Sequence, residues 1–261
     1  MAFGVRSMRT SVVSRGFNIS YRSEGSGDPV LLLQGWSRQA DDWWDQGYVE
    51  ALAEEYRVVA VDRLGHGQSD KPHDPALYLE EVIVSDLVAV LDAERIERLL
   101  VWGFSMGATN AASLAVSHPG RVAALVCGGT VPLPSTEERR LRTVSTAELV
   151  STVDGFEFVL RSIGTPEEGL RESVAHNDLA ALSACMRASA EWFPSAADVR
   201  APMLWYFGTD DQGGFAPEEL ELAERLGVET FTVAGANHVM SFRLAQEVLQ
   251  SVRPFLDQHR S

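Results

Sequence analysis

An α/β fold with a mostly parallel sheet flanked by helices is predicted by three features of this 261-residue chain. Apolar runs of strand length recur along it, amphipathic helical periods separate them, and several runs close on a turn residue. Thr10 to Val13 and Phe17 to Tyr21 flank an Arg15-Gly16 turn and read as a hairpin feeding the sheet edge. Val30 to Leu33 is a buried-strand run ending at Gly35, and Tyr56 to Val61 is another, closed by Asp62. Leu99 to Trp102, Val122 to Cys127, Met203 to Phe207 and Glu229 to Val233 supply the remaining strands. Val49 to Glu55, Leu79 to Leu91, Met106 to Ser117, Pro217 to Leu226 and Ala245 to Leu256 space their apolar residues as helices do.

One segment breaks the alternation. Pro132 to Arg200 holds no convincing strand, only helical stretches at Glu137 to Val144, Ala147 to Ile163 and Leu179 to Trp192. Gly164-Thr165-Pro166 and Phe193-Pro194-Ser195 punctuate it. The expected organisation is a core of residues 1–132 and 201–261, with a small helical lid, 133–200, inserted before the last two strands. Such an insertion lies above the C-terminal edge of the sheet, where open α/β folds bind ligands.

Composition narrows the classes of function. The formal net charge is −15, so no basic stripe is available to bind nucleic acid or dock on an anionic membrane. Two cysteines, Cys127 and Cys185, make neither a disulfide framework nor a zinc site, and a reducing, cytoplasmic compartment is expected. No run reaches the length of a membrane span and no signal-peptide core follows the start. Arg6, Arg9, Arg15 and Arg22 give the first residues a transit-peptide flavour, but the hairpin accounts for that stretch better. A small-molecule substrate is expected, with no metal and no cofactor.

The chemistry centres on Gly103-Phe104-Ser105-Met106-Gly107, between a buried strand and a helix. A strand that turns sharply into a helix holds its apical Ser on a strained, exposed corner, and small neighbours are needed because a Cβ nearby would collide. A serine nucleophile needs a base, an acid that orients the base, and donors for the developing negative charge. His238 suits the base, in the loop that follows the last strand. Asp210 and Asp211, at the end of the strand Met203 to Phe207, compete for the acid. Met106 N–H, at the helix start, and Trp36 N–H, in the turn Gln34-Gly35-Trp36, suit the oxyanion donors.

These motifs resemble those of the α/β-hydrolase superfamily, in its compact, lid-bearing branch of lactonases, perhydrolases, epoxide hydrolases and C–C hydrolases. Gln34-Gly35-Trp36 stands at the family's His-Gly position, and Asp62 to Ser69 at its Asp-x-Arg-Gly-His-Gly-x-Ser turn. Gly103 to Gly107, Gly208 to Asp211 and Gly235 to His238 complete the set. The resemblance covers residues 17–132 and 201–257. It implies a Ser105, His238 and Asp211 triad, because the family's acid stands three residues after that Gly. Three departures are visible: Gln34 replaces His, Leu64 replaces Arg or Pro, and Ala108 replaces a frequent Gly.

A His-activated Ser attacks acyl carbon, whereas the family's dehalogenases and epoxide hydrolases use a carboxylate. Hydrolysis of a carboxylic ester or lactone through an acyl-enzyme is therefore expected. C–C hydrolysis, acyl transfer and perhydrolysis on the same fold are the alternatives, with a non-catalytic small-molecule binder beyond them. The family's C–C hydrolases take acidic dienoates that call for a cationic clamp, and Arg38 is the one basic residue close to the oxyanion turn. Gln34, Trp36, Phe104, Met106 and Trp205, with Trp192 and Phe193 from the insertion, are the candidate pocket residues. Together they suggest an apolar ester or lactone.

Overall fold

The computed structural model describes residues 7–134, 136–191, 194–211 and 214–260. Eight strands form one sheet: β1 (Thr10–Ser14), β2 (Phe17–Glu24), β3 (Asp28–Leu33), β4 (Tyr56–Val61), β5 (Leu99–Phe104), β6 (Val122–Gly128), β7 (Met203–Gly208) and β8 (Glu229–Val233). Their order is β1-β2-β4-β3-β5-β6-β7-β8. β1 and β2 form the antiparallel hairpin, β2 runs antiparallel to β4, and every other pairing is parallel.

The helices are α1 (Asp42–Asp45), α2 (Tyr48–Leu52), α3 (Glu80–Ala93), α4 (Met106–Ser117), α5 (Glu137–Leu149), α6 (Val153–Ser162), α7 (Glu167–His176), α8 (Leu179–Ser189), α9 (Pro217–Leu226), α10 (His238–Arg243) and α11 (Ala245–Gln258). α5 to α8 all fall between β6 and β7. Their interior is a small cluster of Val150, Phe156, Leu160, Leu170 and Leu182, closed below by Trp36.

Strand alternation divides the main core in two. Leu31, Leu33, Val59, Val61 and Val101 pack with residues of α3 and α4. Val30, Leu32, Val58, Ala60 and Trp102 pack on the opposite face with Trp43, Tyr48, Phe242, Val248 and Phe255. The helices of the second face meet the sheet through edge-on aromatics, with Trp43 5.4 Å from Trp102 and 4.8 Å from Phe242.

The structure revises several element boundaries. The stretch Ala147 to Ile163 is two helices, because the Thr152 hydroxyl accepts from Gly155 N–H at 3.2 Å and caps a new start. α7 has no counterpart among the expected helices, and Leu170 is its one buried apolar side chain. Val49 to Glu55 shortens to α2, and Leu179 to Trp192 ends at Ser189. His238 opens the short helix α10, with the Asn237 side chain accepting from Met240 N–H at 2.9 Å. The Trp205 pocket assignment is also corrected. Trp205 is fully buried in the core on the α3 and α4 face, since β7 alternates and sends Leu204 and Tyr206 the other way. Trp192 and Phe193 lie outside the described residues.

His66 makes this core sensitive to acid. It is fully buried, its Nδ1 donating to Leu64 O at 3.1 Å. Burial first, then the neighbouring Arg63 charge, hold it far below the ordinary imidazole range. The unfolded chain therefore binds a proton near pH 6.5 that the folded chain refuses. Stability is full above that pH and falls below it, by up to about 1.4 kcal/mol per pH unit. Urea unfolding of the wild type and His66→Asn at pH 7.5 and 5.5 checks this. The variant is expected to lose less stability across the interval.

Candidate active site

Ser105 sits at the corner between β5 and α4 with φ 54° and ψ −123°. A non-Gly residue held there costs of order 1–3 kcal/mol, so the surroundings must enforce it. Close packing on both sides does so. A Cβ on Gly103 would stand 2.2 Å from Gly107 O, and one on Gly107 would stand 2.1 Å from Leu33 O. Strand and helix thus approach as only glycine permits, and Ser105 N–H donates to Gly128 O at 2.7 Å.

Ser105 and His238 line one cavity of about 330 Å³ beneath the inserted helices. His238 Nδ1 lies 2.7 Å from Asp211 Oδ2, and Asp211 is 4% exposed. Asp210 is exposed and its carboxylate accepts instead from the Thr209 hydroxyl at 3.2 Å. Of the two adjacent carboxylates, Asp211 is the one that meets the imidazole. Phe104 packs against the His238 ring at 5.0 Å and also lines the cavity.

The turn Gln34-Gly35-Trp36 passes directly over Ser105, where a Cβ on Gly35 would be 3.3 Å from Ser105 Cβ. Among the described residues, no protein acceptor takes the N–H of Trp36 or of Met106. The Trp36 side chain turns upward into the insertion, its indole N–H donating to Leu182 O at 3.2 Å and its ring edge-on to Phe156. Met106 also lines the cavity, with its sulfur 3.8 Å from the Cys185 sulfur on α8. Burial pushes the Cys185 thiol up to about 11, which keeps it from acting as a thiolate at neutral pH. Gln34 is fully buried and lines the same cavity, with neither atom of its amide bonded to protein.

Two groups of residues escaped the sequence reading. The first is Arg63, buried in the turn that follows β4. Its guanidinium donates to Gln34 O and Gly35 O at 3.0 Å each and to Asn110 Oδ1 at 2.6 Å. Burial pulls it down to about 10, so it remains charged at neutral pH. Asp62 adds a second tie, accepting from Ala40 N–H at 2.7 Å and Gln68 N–H at 3.0 Å. The Asp62 to Ser69 motif is thereby a brace under the turn Gln34-Gly35-Trp36. The second group is cationic. Besides Arg38, paired to Asp42 at 2.8 Å, the cavity is lined by Arg139 and Arg142 of α5 and Arg243 of α10. The expected apolar pocket is therefore a mixed one.

Comparison with known proteins bears on the fold and the family. The family described as alpha/beta hydrolase fold matches residues 28–156. The chain is 31% identical over 150 residues to a putative 2-succinyl-6-hydroxy-2,4-cyclohexadiene-1-carboxylate synthase of Bacillus subtilis (strain 168), covering 56% of this chain and 54% of the relative. It is 36% identical over 129 residues to 2-hydroxymuconate semialdehyde hydrolase of Pseudomonas sp. (strain CF600), covering 48% and 45%. The matched stretch thus spans about half the length of these curated relatives. A thermophilic esterase from Thermogutta terrifontis superposes with a TM-score of 0.83 at 23% identity, over 98% of this chain and 100% of that one. At that identity the likeness concerns the fold. No helix among the described residues is long and apolar enough to cross a membrane. With the strand order, the corner at Ser105 and these similarities in agreement, the chain belongs to the α/β-hydrolase superfamily.

Proposed function

We propose that this protein is a serine-dependent hydrolase of a carboxylic ester or lactone, with Ser105, His238 and Asp211 as its triad. The observation that carries the reading is the His238–Asp211 contact at 2.7 Å beside a cavity that Ser105 also lines. Asp211 holds Nδ1 protonated, which leaves Nε2 free to take the Ser105 proton as Oγ attacks the acyl carbon. The N–H groups of Trp36 and Met106 then receive the oxyanion, the second strengthened by the start of α4. Collapse expels the alcohol with a proton from His238 and leaves an acyl-enzyme. Water activated by His238 releases the acid. In this scheme α5 to α8 serve as the lid that shapes the substrate cavity.

A second reading, hydrolysis of a C–C bond, is favoured by the 36% identity to 2-hydroxymuconate semialdehyde hydrolase. It uses the same residues and differs in the bond broken.

Intact mass after exposure to a small fluorophosphonate tests the shared chemistry. One adduct is expected on the wild type and none on Ser105→Ala. Absence of an adduct on both proteins, with a positive control enzyme labelled in parallel, overturns the proposal in favour of a binding role.

A further inference from the structure

The turn Gln34-Gly35-Trp36 carries a polar side chain that the proposed chemistry leaves unused. Gln34 is fully buried, and neither Oε1 nor Nε2 of its amide has a hydrogen-bond partner among the described residues. An amide buried with both ends unpaired costs free energy, and more so where its neighbours are apolar. Phe104 and Phe242 line the same cavity, and the alternation that turns Leu33 toward α3 and α4 turns Gln34 to their side of the sheet. The main chain cannot carry this amide out to water. Gln34 O accepts from Arg63 at 3.0 Å, and a Cβ on Gly107 would stand 2.6 Å from that oxygen. The amide is therefore fixed beside the nucleophile and offered to whatever fills the cavity.

Ser37, three positions along, repeats the pattern. Its hydroxyl is buried, has no partner among the described residues, and belongs to a residue that lines the same cavity. Its backbone sits at φ 63°, a conformation that a non-Gly residue holds only under constraint, and its carbonyl accepts from Asn177 Nδ2 at 3.1 Å. Arg243 Nε, on the same cavity, is a further buried donor without a partner. A matching ligand must thus serve an acceptor as well as donors. A carboxylate or a ketone bonds Nε2, the Ser37 hydroxyl or Arg243 Nε, but leaves Gln34 Oε1 with no donor. A single hydroxyl oxygen cannot align with both ends of one planar amide. A primary carboxamide can, because its own N–H and C=O lie side by side in one plane.

We infer that the substrate carries a neutral carboxamide edge in addition to the bond that Ser105 attacks, and that Gln34, helped by Ser37, recognises it. This rests on the hydrolase reading only for the identity of the reacting bond. A site of this kind selects by what it leaves unpaired: a ligand that lacks the N–H or the C=O keeps the desolvation cost of Gln34 in place.

The test is calorimetric titration of Ser105→Ala with methyl succinamate, methyl levulinate and monomethyl succinate. The three share one ester and one chain length and end in a carboxamide, a methyl ketone and a carboxylate. The carboxamide is expected to bind at least about tenfold more tightly than either of the others. That preference should vanish when Gln34→Met is added and fall severalfold when Ser37→Ala is added instead. Without ligand, Gln34→Met should unfold at a higher temperature than its parent, because a side chain of similar length replaces an unsatisfied amide. Equal binding of the three esters, tightest binding of the carboxylate, binding of none, a preference that survives Gln34→Met, or a lowered unfolding temperature in that variant overturns the inference. Fluorophosphonate labelling of the wild type separates the two claims. Labelling without carboxamide preference removes this inference alone, whereas carboxamide preference without labelling removes the hydrolase reading and keeps the amide site.

Discussion

Asp211→Asn is expected to lower kcat for ester hydrolysis by about four orders of magnitude, whereas Asp210→Asn leaves it nearly unchanged. The asymmetry follows from one contact. Asp211 Oδ2 lies 2.7 Å from His238 Nδ1, while the Asp210 carboxylate bonds to Thr209 in solvent. An Asn at 211 offers its NH2 to Nδ1 and favours the tautomer with the proton on Nε2, the atom that must accept one from Ser105. It also removes the charge that stabilises the imidazolium. The fold should tolerate this change of one oxygen to nitrogen, so the measurement is kcat on a chromogenic ester with circular dichroism as the control. Equal losses in the two variants would sink the assignment of the acid.

Arg63→Met is expected to be the second largest effect, and it acts on stability and activity together. The substitution leaves Gln34 O, Gly35 O and Asn110 Oδ1 buried without their donor, at a cost of about 3–5 kcal/mol. The turn it frees carries the Trp36 N–H, so kcat should also fall, by about 10²–10³, the value of one oxyanion donor. Arg63 touches no substrate in this scheme and is a positioning residue. A purely structural role would reduce only the folded fraction. The distinguishing readout is kcat per active site, titrated with fluorophosphonate in the temperature range where the variant remains folded. Unchanged kcat per labelled site would refute the positioning role.

The sheet was legible because its signals are local. Apolar runs, several of them closing on Gly or Asp, marked the parallel strands, the Arg15-Gly16 turn marked the hairpin, and helical spacing marked the helices that cover them. The Ser105 corner was legible for a related reason: its glycines reflect contacts within a few residues, or with the adjacent strand end at Leu33. Choosing between Asp210 and Asp211 needed the family's spacing, since residue type alone leaves them equal. What failed was tertiary in origin. Trp205 went to the wrong side because β7 alternates, so that only knowledge of which face looks toward the cavity decides its fate. Arg63 meets Gln34 and Gly35 across nearly thirty positions of sequence, and Arg139 and Arg142 lie on an inserted helix whose docking no local pattern encodes. Along the sequence, Arg38 is the one cation beside the turn Gln34-Gly35-Trp36, and it is paired to Asp42.

Trp36 is held from two directions, its flanking carbonyls by Arg63 in the core and its indole by Leu182 in the insertion. The two anchors are independent, because one grips the main chain and the other the ring. A lineage could therefore lengthen, shorten or reshuffle α5 to α8 while the reaction centre beneath kept its alignment. Under the proposed function, divergence would then accumulate in the roof over the cavity, at little expense to the residues beneath it.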